Sequence, residues 1–350
     1  MPAVPPGSLI LVTGASGFIA SHVAKTFLDE GYNVRGTVRS PSKGEYLVNL
    51  FKDTKGKFEY VIVEDISKEG AFDEAVKGVD GVAHTASPVT FAAERPEDLF
   101  EPSVKGTVNV LNSIKENNPN IGRIVYTSSS GTVNDPEMPC PVSYDETSWN
   151  IISEGVCERL GAKADGGHKY RASKVLAEKA FWKFFEDERP SFDGVTMHPV
   201  MTYGPIIHQC DSPKSLNDSI ARRIWPFVSG QRTEKDLPEP GSSFVDVRDV
   251  ALAHVRSMST PEASGQRFLA SSERYSGNDV CVILNKEFPY LENVPKGDDS
   301  PGARERINAV ANFMDSAKSQ RVLGIQYRPI EDVVRDTTES LVTRFGLKAN

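Results

Sequence analysis

The apolar run Leu9-Ile10-Leu11-Val12-Thr13 passes without a break into Gly14-Ala15-Ser16-Gly17-Phe18-Ile19-Ala20, where a helical pattern begins. That junction constrains the fold more than any other stretch. Gly14 permits a tight turn, Gly17 lets phosphates approach the backbone, and Ala20 lets the helix lie close on a sheet. The first N–H groups of the helix lack intrahelical partners and carry the positive end of its dipole. A glycine pair alone is a weak signal. Between a first strand and a first helix it marks a pyrophosphate cradle, to which Ser16, Phe18 and Ile19 also belong.

The same alternation continues. A helix is expected over 18–30, with Ile19, Val23, Phe27 and Leu28 on one face, and Gly31 stops it. Strands follow at 33–38, 58–63, 81–84 and 123–127, with helices expected at 71–77 and 103–117 between them. Strand, helix, strand in series implies a parallel sheet covered on both faces. Right-handed crossovers make it an α/β, doubly wound (Rossmann) sheet. Residues 1–199 are expected to form the dinucleotide-binding domain, and 200–350 a smaller substrate-binding region, part of which returns to the first domain. Residues 135–167, polar and rich in Pro, Ser, Glu and Gly, read as an active-site loop. A helix over 170–188 and a strand over 194–197 come next. The stretch 204–241, with several prolines, Trp225 and Phe227, reads as a pocket wall. Helices are expected at 249–259, capped by Asp249, and at 330–345.

Composition narrows the function. The chain has 350 residues, 40 Lys and Arg against 48 Asp and Glu, and a formal charge of −8. That balance argues against a nucleic-acid surface, which needs clustered cations. Cys140, Cys157, Cys210 and Cys281 are scattered, with no Cys-x-x-Cys pair, so reduced thiols are expected and neither a disulfide framework nor a metal site. The start has no basic segment leading into an apolar one, no run is long enough for a membrane span, and Lys348-Ala349-Asn350 is no retention tail. The expected setting is the cytoplasm, with a small-molecule partner, and a monomer or a homodimer.

The end of the second strand bears on the cofactor. An NAD site places an acidic residue there for the ribose hydroxyls. This chain has Val38, followed by Arg39 and, four residues on, Lys43. A guanidinium suits a 2′-phosphate through bidentate, charge-assisted bonds. NADPH/NADP is therefore expected.

Tyr170 and Lys174 stand four residues apart on one helical face. A free phenol titrates near 10, and a neighbouring ammonium favours the phenolate, so the Tyr170 value is expected to fall. Such a phenol donates a proton as hydride reaches a carbonyl carbon. The strand at 123–127 leads into Ser128-Ser129-Ser130-Gly131, where ligands bind beyond strand carboxyl ends. A serine there holds the substrate oxygen against the tyrosine.

Taken together, these segments resemble the extended short-chain dehydrogenases/reductases, in particular the fungal methylglyoxal and aldehyde/ketone reductases, with plant dihydroflavonol 4-reductases as relatives. The resemblance rests on residues 11–20, Thr37-Val38-Arg39, His84-Thr85-Ala86-Ser87-Pro88, Thr127-Ser128-Ser129, residues 170–174, and Phe244-Val245-Asp246-Val247-Arg248-Asp249-Val250-Ala251. It implies a triad of Ser129, Tyr170 and Lys174. It further implies Asp65 and Ile66 beside the adenine, Thr85, Ala86 and Ser87 beside the nicotinamide ribose, and Pro199 and Val200 at the carboxamide. His84 reads as structural, Arg222-Arg223 as a solvated face. Asn109 lies where some relatives use an Asn in a proton relay, a role not favoured here. The activity implied is NADPH-dependent reduction of aldehydes and ketones. Alternatives are a dihydroflavonol-type reductase, suggested by Gly131-Thr132-Val133-Asn134, a nucleotide-sugar epimerase or dehydratase, and a non-catalytic sensor of NADP(H).

Overall fold

The computed structural model describes residues 3–89, 91–237 and 242–347. The first residues of the chain, Gly241 and the tail Lys348-Ala349-Asn350 lie outside them. The strands are β1 (Leu9–Thr13), β2 (Asn33–Val38), β3 (Phe58–Ile62), β4 (Gly81–His84), β5 (Arg123–Thr127), β6 (Ser143–Tyr144), β7 (Asp193–Pro199), β8 (Met201–Tyr203), β9 (Ser242–Asp246), β10 (Arg267–Ala270), β11 (Arg274–Tyr275) and β12 (Phe313–Met314). The helices are α1 (Phe18–Asp29), α2 (Pro41–Leu50), α3 (Glu97–Asn117), α4 (Ser153–Leu160), α5 (Gly166–Glu188), α6 (Asp218–Arg223), α7 (Trp225–Val228), α8 (Val247–Ser259), α9 (Gly277–Glu287), α10 (Ala303–Asn308), α11 (Ala317–Leu323) and α12 (Ile330–Phe345).

Seven strands form one parallel sheet in the order β10-β7-β5-β4-β1-β2-β3. The two-residue period of a strand sends alternate side chains to opposite faces. Ile10 and Val12 of β1, with Val125 of β5, pack with α1 and α8. Leu11, Ile124 and Tyr126 face the other way, into α3 and α5. The expected doubly wound α/β sheet is therefore present. At the amino ends of β5 and β7 the fully buried Arg123 grips Asp193 through Nε and Nη2, at 2.6 and 2.8 Å, and donates to the Thr260 carbonyl. A buried guanidinium needs that many acceptors to offset its lost hydration.

Beyond Pro199 a second core forms around Tyr203, Ile220, Phe227, Phe244, Val280 and Ile330. Phe18, the first residue of α1, belongs to it too. The chain then returns to the large sheet as β10, paired with β7.

Several local expectations need correction. Residues 71–77 form no α-helix. They run as successive turns, with Ala71 N–H bonded to Lys68 O and Asp73 N–H to Gly70 O. Gly70 and Gly78, at φ +70° and +71°, bracket the stretch and leave too little chain for a cooperative helix. Its apolar residues Phe72, Ala75 and Val76 are buried all the same. Helix α3 starts at Glu97 rather than 103, because Pro102 is carried inside it. The 135–167 stretch contains β6 and α4. Helix α8 is capped by Asp246, whose carboxylate accepts from Arg248 N–H at 2.7 Å. Asp249 instead receives the Arg328 N–H at 2.8 Å and its guanidinium, and burial pushes its carboxyl up to about 6. Helix α2, preceded by Ser40 and opened by Pro41, went unread.

Candidate active site

At the carboxyl end of β1 the chain turns at Gly14 with φ +66°, a left-handed conformation that favours glycine. A Cβ there would lie 3.2 Å from Ala86. Gly17 caps α1 with no side chain of its own, and a Cβ would meet Gly14 O at 3.3 Å. The first intrahelical bond runs from Ser21 N–H to Gly17 O, so the earlier N–H groups of α1 have no helical acceptor. No acidic residue stands in this first turn. Ala15 is held under the loop by its N–H to Thr37 O at 2.9 Å. Gly36 makes room for it, since a Cβ there would sit 2.8 Å from the Ala15 methyl. An isolated glycine inside a strand signals such an approach, and this one went unread.

Thr13 ties the cradle to the next loop. Its Oγ1 accepts from the N–H groups of Thr85 and Ala86, both at 3.0 Å, and lies 2.9 Å from His84 Nδ1. With two N–H groups arriving, the Thr13 hydroxyl gives its own proton to His84 Nδ1. The ring is therefore neutral, and burial pushes its value down to about 3, helped by Lys174. His84 is structural, as expected, and Thr85, Ala86 and Ser87 follow it, half-buried, along the cradle.

Val38 is buried in the core and presents no polar atom at the end of β2. Arg39, next to it, is exposed and pairs with no carboxylate among the described residues; Lys43 follows on α2. Asp65 accepts from Ser67 N–H and Oγ at 2.9 and 2.6 Å, which holds its carboxyl below the usual range, with Arg39 contributing. Asn109 donates to the carbonyls of Ile66 and Lys68 at 3.0 and 2.8 Å, so its amide braces the Asp65–Ile66 turn. Pro199 and Val200 are buried where β7 ends, with Val200 N–H on Ala270 O.

Beyond β5, Ser129 keeps an extended backbone and its Oγ accepts from Gly131 N–H at 3.0 Å. Tyr170 lies on α5, whose first turn is capped by Asp165 through the N–H groups of Gly167 and His168. The Tyr170 ring and Ser129 Oγ both border Gly131, where a Cβ would lie 3.7 and 3.3 Å from them. One turn on, the buried Lys174 donates from Nζ to Thr127 O at 3.4 Å and lies 5.7 Å from the Tyr126 ring centre. Burial pushes the ammonium down to about 8, while Glu178 works the other way. The expected fall of the Tyr170 phenol is not found. Burial pushes it above its ordinary value, and the Ser129 hydroxyl and Arg171 only partly oppose that. A raised phenol stays protonated, as a proton donor must.

Phe91 lies over Tyr170, ring centres 5.1 Å apart, and the Arg222 guanidinium lies 4.6 Å from the Phe91 centre. Arg222 is exposed, as a solvated face would be, and pairs with Asp218 at 3.2 Å, while its guanidinium also covers Phe91. The buried Lys169 ammonium anchors this loop through the carbonyls of Ala93, Glu94 and Ala162. Phe91 carried no sequence signal beyond being an aromatic residue in a loop. The expected wall fares less well. Phe227 is wholly buried in the second core, and Trp225 packs edge-on against Phe345.

A family model described as NAD dependent epimerase/dehydratase family matches residues 10–270. The chain belongs to that family. Ketoreductase azaE of Aspergillus niger is 37% identical, with 95% of this chain and 97% of the relative aligned. NADPH-dependent methylglyoxal reductase GRE2 of Saccharomyces cerevisiae is 35% identical, over 95% and 98%. Among solved structures, yeast methylglyoxal/isovaleraldehyde reductase Gre2 complexed with NADPH superposes with a TM-score of 0.85 at 34% identity, covering 97% of this chain and 99% of that one. No helix among the described residues is long and apolar enough to cross a membrane.

Thr13→Val keeps the shape of the side chain but leaves two N–H groups without their acceptor. It should lower unfolding free energy by about 1–3 kcal/mol, measured by denaturant titration. An unchanged midpoint would contradict the bracing role.

Proposed function

We propose that the chain reduces aldehydes and ketones to alcohols with NADPH, using Ser129, Tyr170 and Lys174 as the catalytic group. The observation that carries this reading is that Ser129 and Tyr170 lie side by side against Gly131, backed by a buried ammonium one helical turn away, at the carboxyl edge that also bears the glycine cradle. The names of the relatives, ketoreductase and methylglyoxal reductase, support it.

The chain's own atoms suit the cofactor. Gly14 and Gly17 leave space that a Cβ would fill, and the start of α1, with Ser16, Phe18 and Ile19, offers N–H groups to the pyrophosphate. Arg39 and Lys43 would meet the 2′-phosphate, Asp65 and Ile66 the adenine, Thr85, Ala86 and Ser87 the nicotinamide ribose, and Pro199 and Val200 the carboxamide. When bound, NADPH supplies the hydride. Ser129 holds the carbonyl oxygen by a hydrogen bond, and Tyr170 gives that oxygen its proton as negative charge develops. Lys174 then stabilises the phenolate left behind until solvent returns the proton. Residues 1–199 serve the cofactor and 200–350 the substrate. The enzyme works in the cytoplasm, as a monomer or a homodimer. The Phe91 ring above Tyr170 favours partly apolar carbonyl compounds of small or medium size.

The test is NADPH oxidation with methylglyoxal, simple aliphatic and aromatic aldehydes, and dihydroflavonols. Turnover of the simple carbonyls is expected. Tyr170→Phe should lower kcat by at least about 10²-fold while NADPH still binds, and Ser129→Ala should cost more than Ser128→Ala. Retention of most activity in Tyr170→Phe would rule out its role as acid, and turnover of dihydroflavonols alone would rule out broad specificity.

The cofactor assignment makes a separate prediction. NADPH should be used in preference to NADH, and Arg39→Ala should raise KM for NADPH roughly tenfold or more without changing KM for NADH. Equal efficiency of the native enzyme with both cofactors would refute it.

A further inference from the structure

One turn beyond Lys174, α5 carries Glu178, whose side chain is wholly buried. Tyr170, Lys174 and Glu178 thus follow one another at four-residue intervals along one face of the helix. An isolated carboxylate in such a place would shed its charge. This one is surrounded by donors. Oε1 receives Arg267 Nε at 2.8 Å, His198 Nε2 at 2.9 Å and, more distantly, Trp182 Nε1 at 3.4 Å, while Oε2 receives the Ser128 hydroxyl at 2.6 Å. Burial alone would raise the carboxyl. His198, Arg267 and Ser128 overcome it and hold the group well below the usual carboxylate range, so it is charged.

One of these contacts leads back to the site, and a second link to it is electrostatic. The backbone stays extended through Ser129, so Ser128 and Ser129 point to opposite sides. Fixing Ser128 on Glu178, with its N–H on Met197 O at 2.8 Å, thereby fixes the direction in which the Ser129 side chain points. For the second link, Glu178 is buried one helical turn from Lys174 on the same face of α5, and its charge favours the ammonium against the cost of burial. A third link runs outward. Arg267 also donates to the carbonyls of Glu146 and Ser148 and lies 4.0 Å from the Trp149 ring centre, in the 135–167 segment.

We propose that Glu178 is the positioning residue of this centre, aiming Ser129 through Ser128 and maintaining the Lys174 ammonium. The proposal rests on the reductase reading above. The titratable groups facing Lys174 are Tyr170 and Glu178 on its own helix, His84 on β4 and Tyr126 on β5, with His198 on β7 and Arg267 on β10 bound to Glu178. No titratable residue is among the buried positions of α3. Only Glu178 supplies negative charge, so its neutralisation moves Lys174 in one direction.

The experiment compares native enzyme, Glu178→Gln, the double variant Glu178→Gln/Arg267→Met, Ser128→Ala and Tyr170→Phe. The double variant removes Glu178 and its Arg267 partner together, where the single variant leaves Arg267 without its carboxylate. Rates of NADPH-dependent carbonyl reduction are taken across pH, and the Lys174 ammonium is titrated by NMR on isotopically labelled lysine. In both Glu178 variants kcat should fall about tenfold to a hundredfold, with KM for NADPH little changed. The alkaline limb of the rate and the Lys174 midpoint should both move down by about one pH unit. Ser128→Ala should lower kcat without moving either. A folded double variant with native kcat and an unmoved Lys174 midpoint overturns the proposal, even if Glu178→Gln does not fold. Native enzyme that reduces no carbonyl, or Tyr170→Phe as active as native, overturns the reductase reading first and this proposal with it.

Discussion

Parallel pairing is the constraint on which everything else depends. It lines up Thr13 with His84 and Thr127 with Met197, so the carboxyl ends of β1, β4, β5 and β7 share one edge. The proposed functional residues lie just past these ends and those of β2 and β3, or on the helices α1, α2 and α5. A slip of one residue in any pair would turn its buried side chains to the wrong face. Ile10, Val12 and Leu11, which fill two different cores, forbid such a slip on β1. The site thus inherits its precision from hydrophobic packing on both sides of the sheet, and Thr13 adds a direct bond across the β1–β4 edge.

Features set by neighbouring residues were legible in the sequence. The β1–α1 junction, the carboxyl end of β5 and the Tyr170–Lys174 spacing need only a few consecutive positions to declare themselves. The ends of elements were less legible, because Pro102 within α3 and Gly70 and Gly78 around the 71–77 turns act through context. Least legible were contacts between distant residues. Glu178 meets Arg267 across 89 positions and Thr13 meets Ala86 across 73, so no local pattern announces them. Two weak local signals did exist, Gly36 inside a strand and Glu178 four residues after Lys174. The aromatic residues offered as a pocket wall illustrate the reverse error. Phe227 is buried because a second core had to be filled, a demand that composition alone does not locate.

The electrostatics of the site follow from burial more than from contact. Tyr170 is raised and Lys174 lowered for the same reason, the cost of charge in a place shielded from water. A protonated phenol is the form that suits reduction, and the ammonium behind it suits the phenolate that results. The chain therefore needs a buried negative charge near Lys174 to keep that ammonium, and Glu178 is where the fold provides one. At the other end of the cleft the logic is reversed. Arg39 is exposed and without a carboxylate partner among the described residues, so a phosphate would find it available at little cost in desolvation. Membership of a family described as NAD dependent leaves the choice of dinucleotide to that local chemistry, and the buried Val38 removes the acidic alternative.

The most direct test of hydride transfer at this edge uses NADPH deuterated at the nicotinamide C4, on one face or the other, with a simple aldehyde as acceptor. The account predicts one deuterium on the carbinol carbon of the product from one face only, since a fixed cleft presents a single face of the ring. It also predicts little labelled product from Tyr170→Phe in the same time. An alcohol carrying no label from either face would contradict the account.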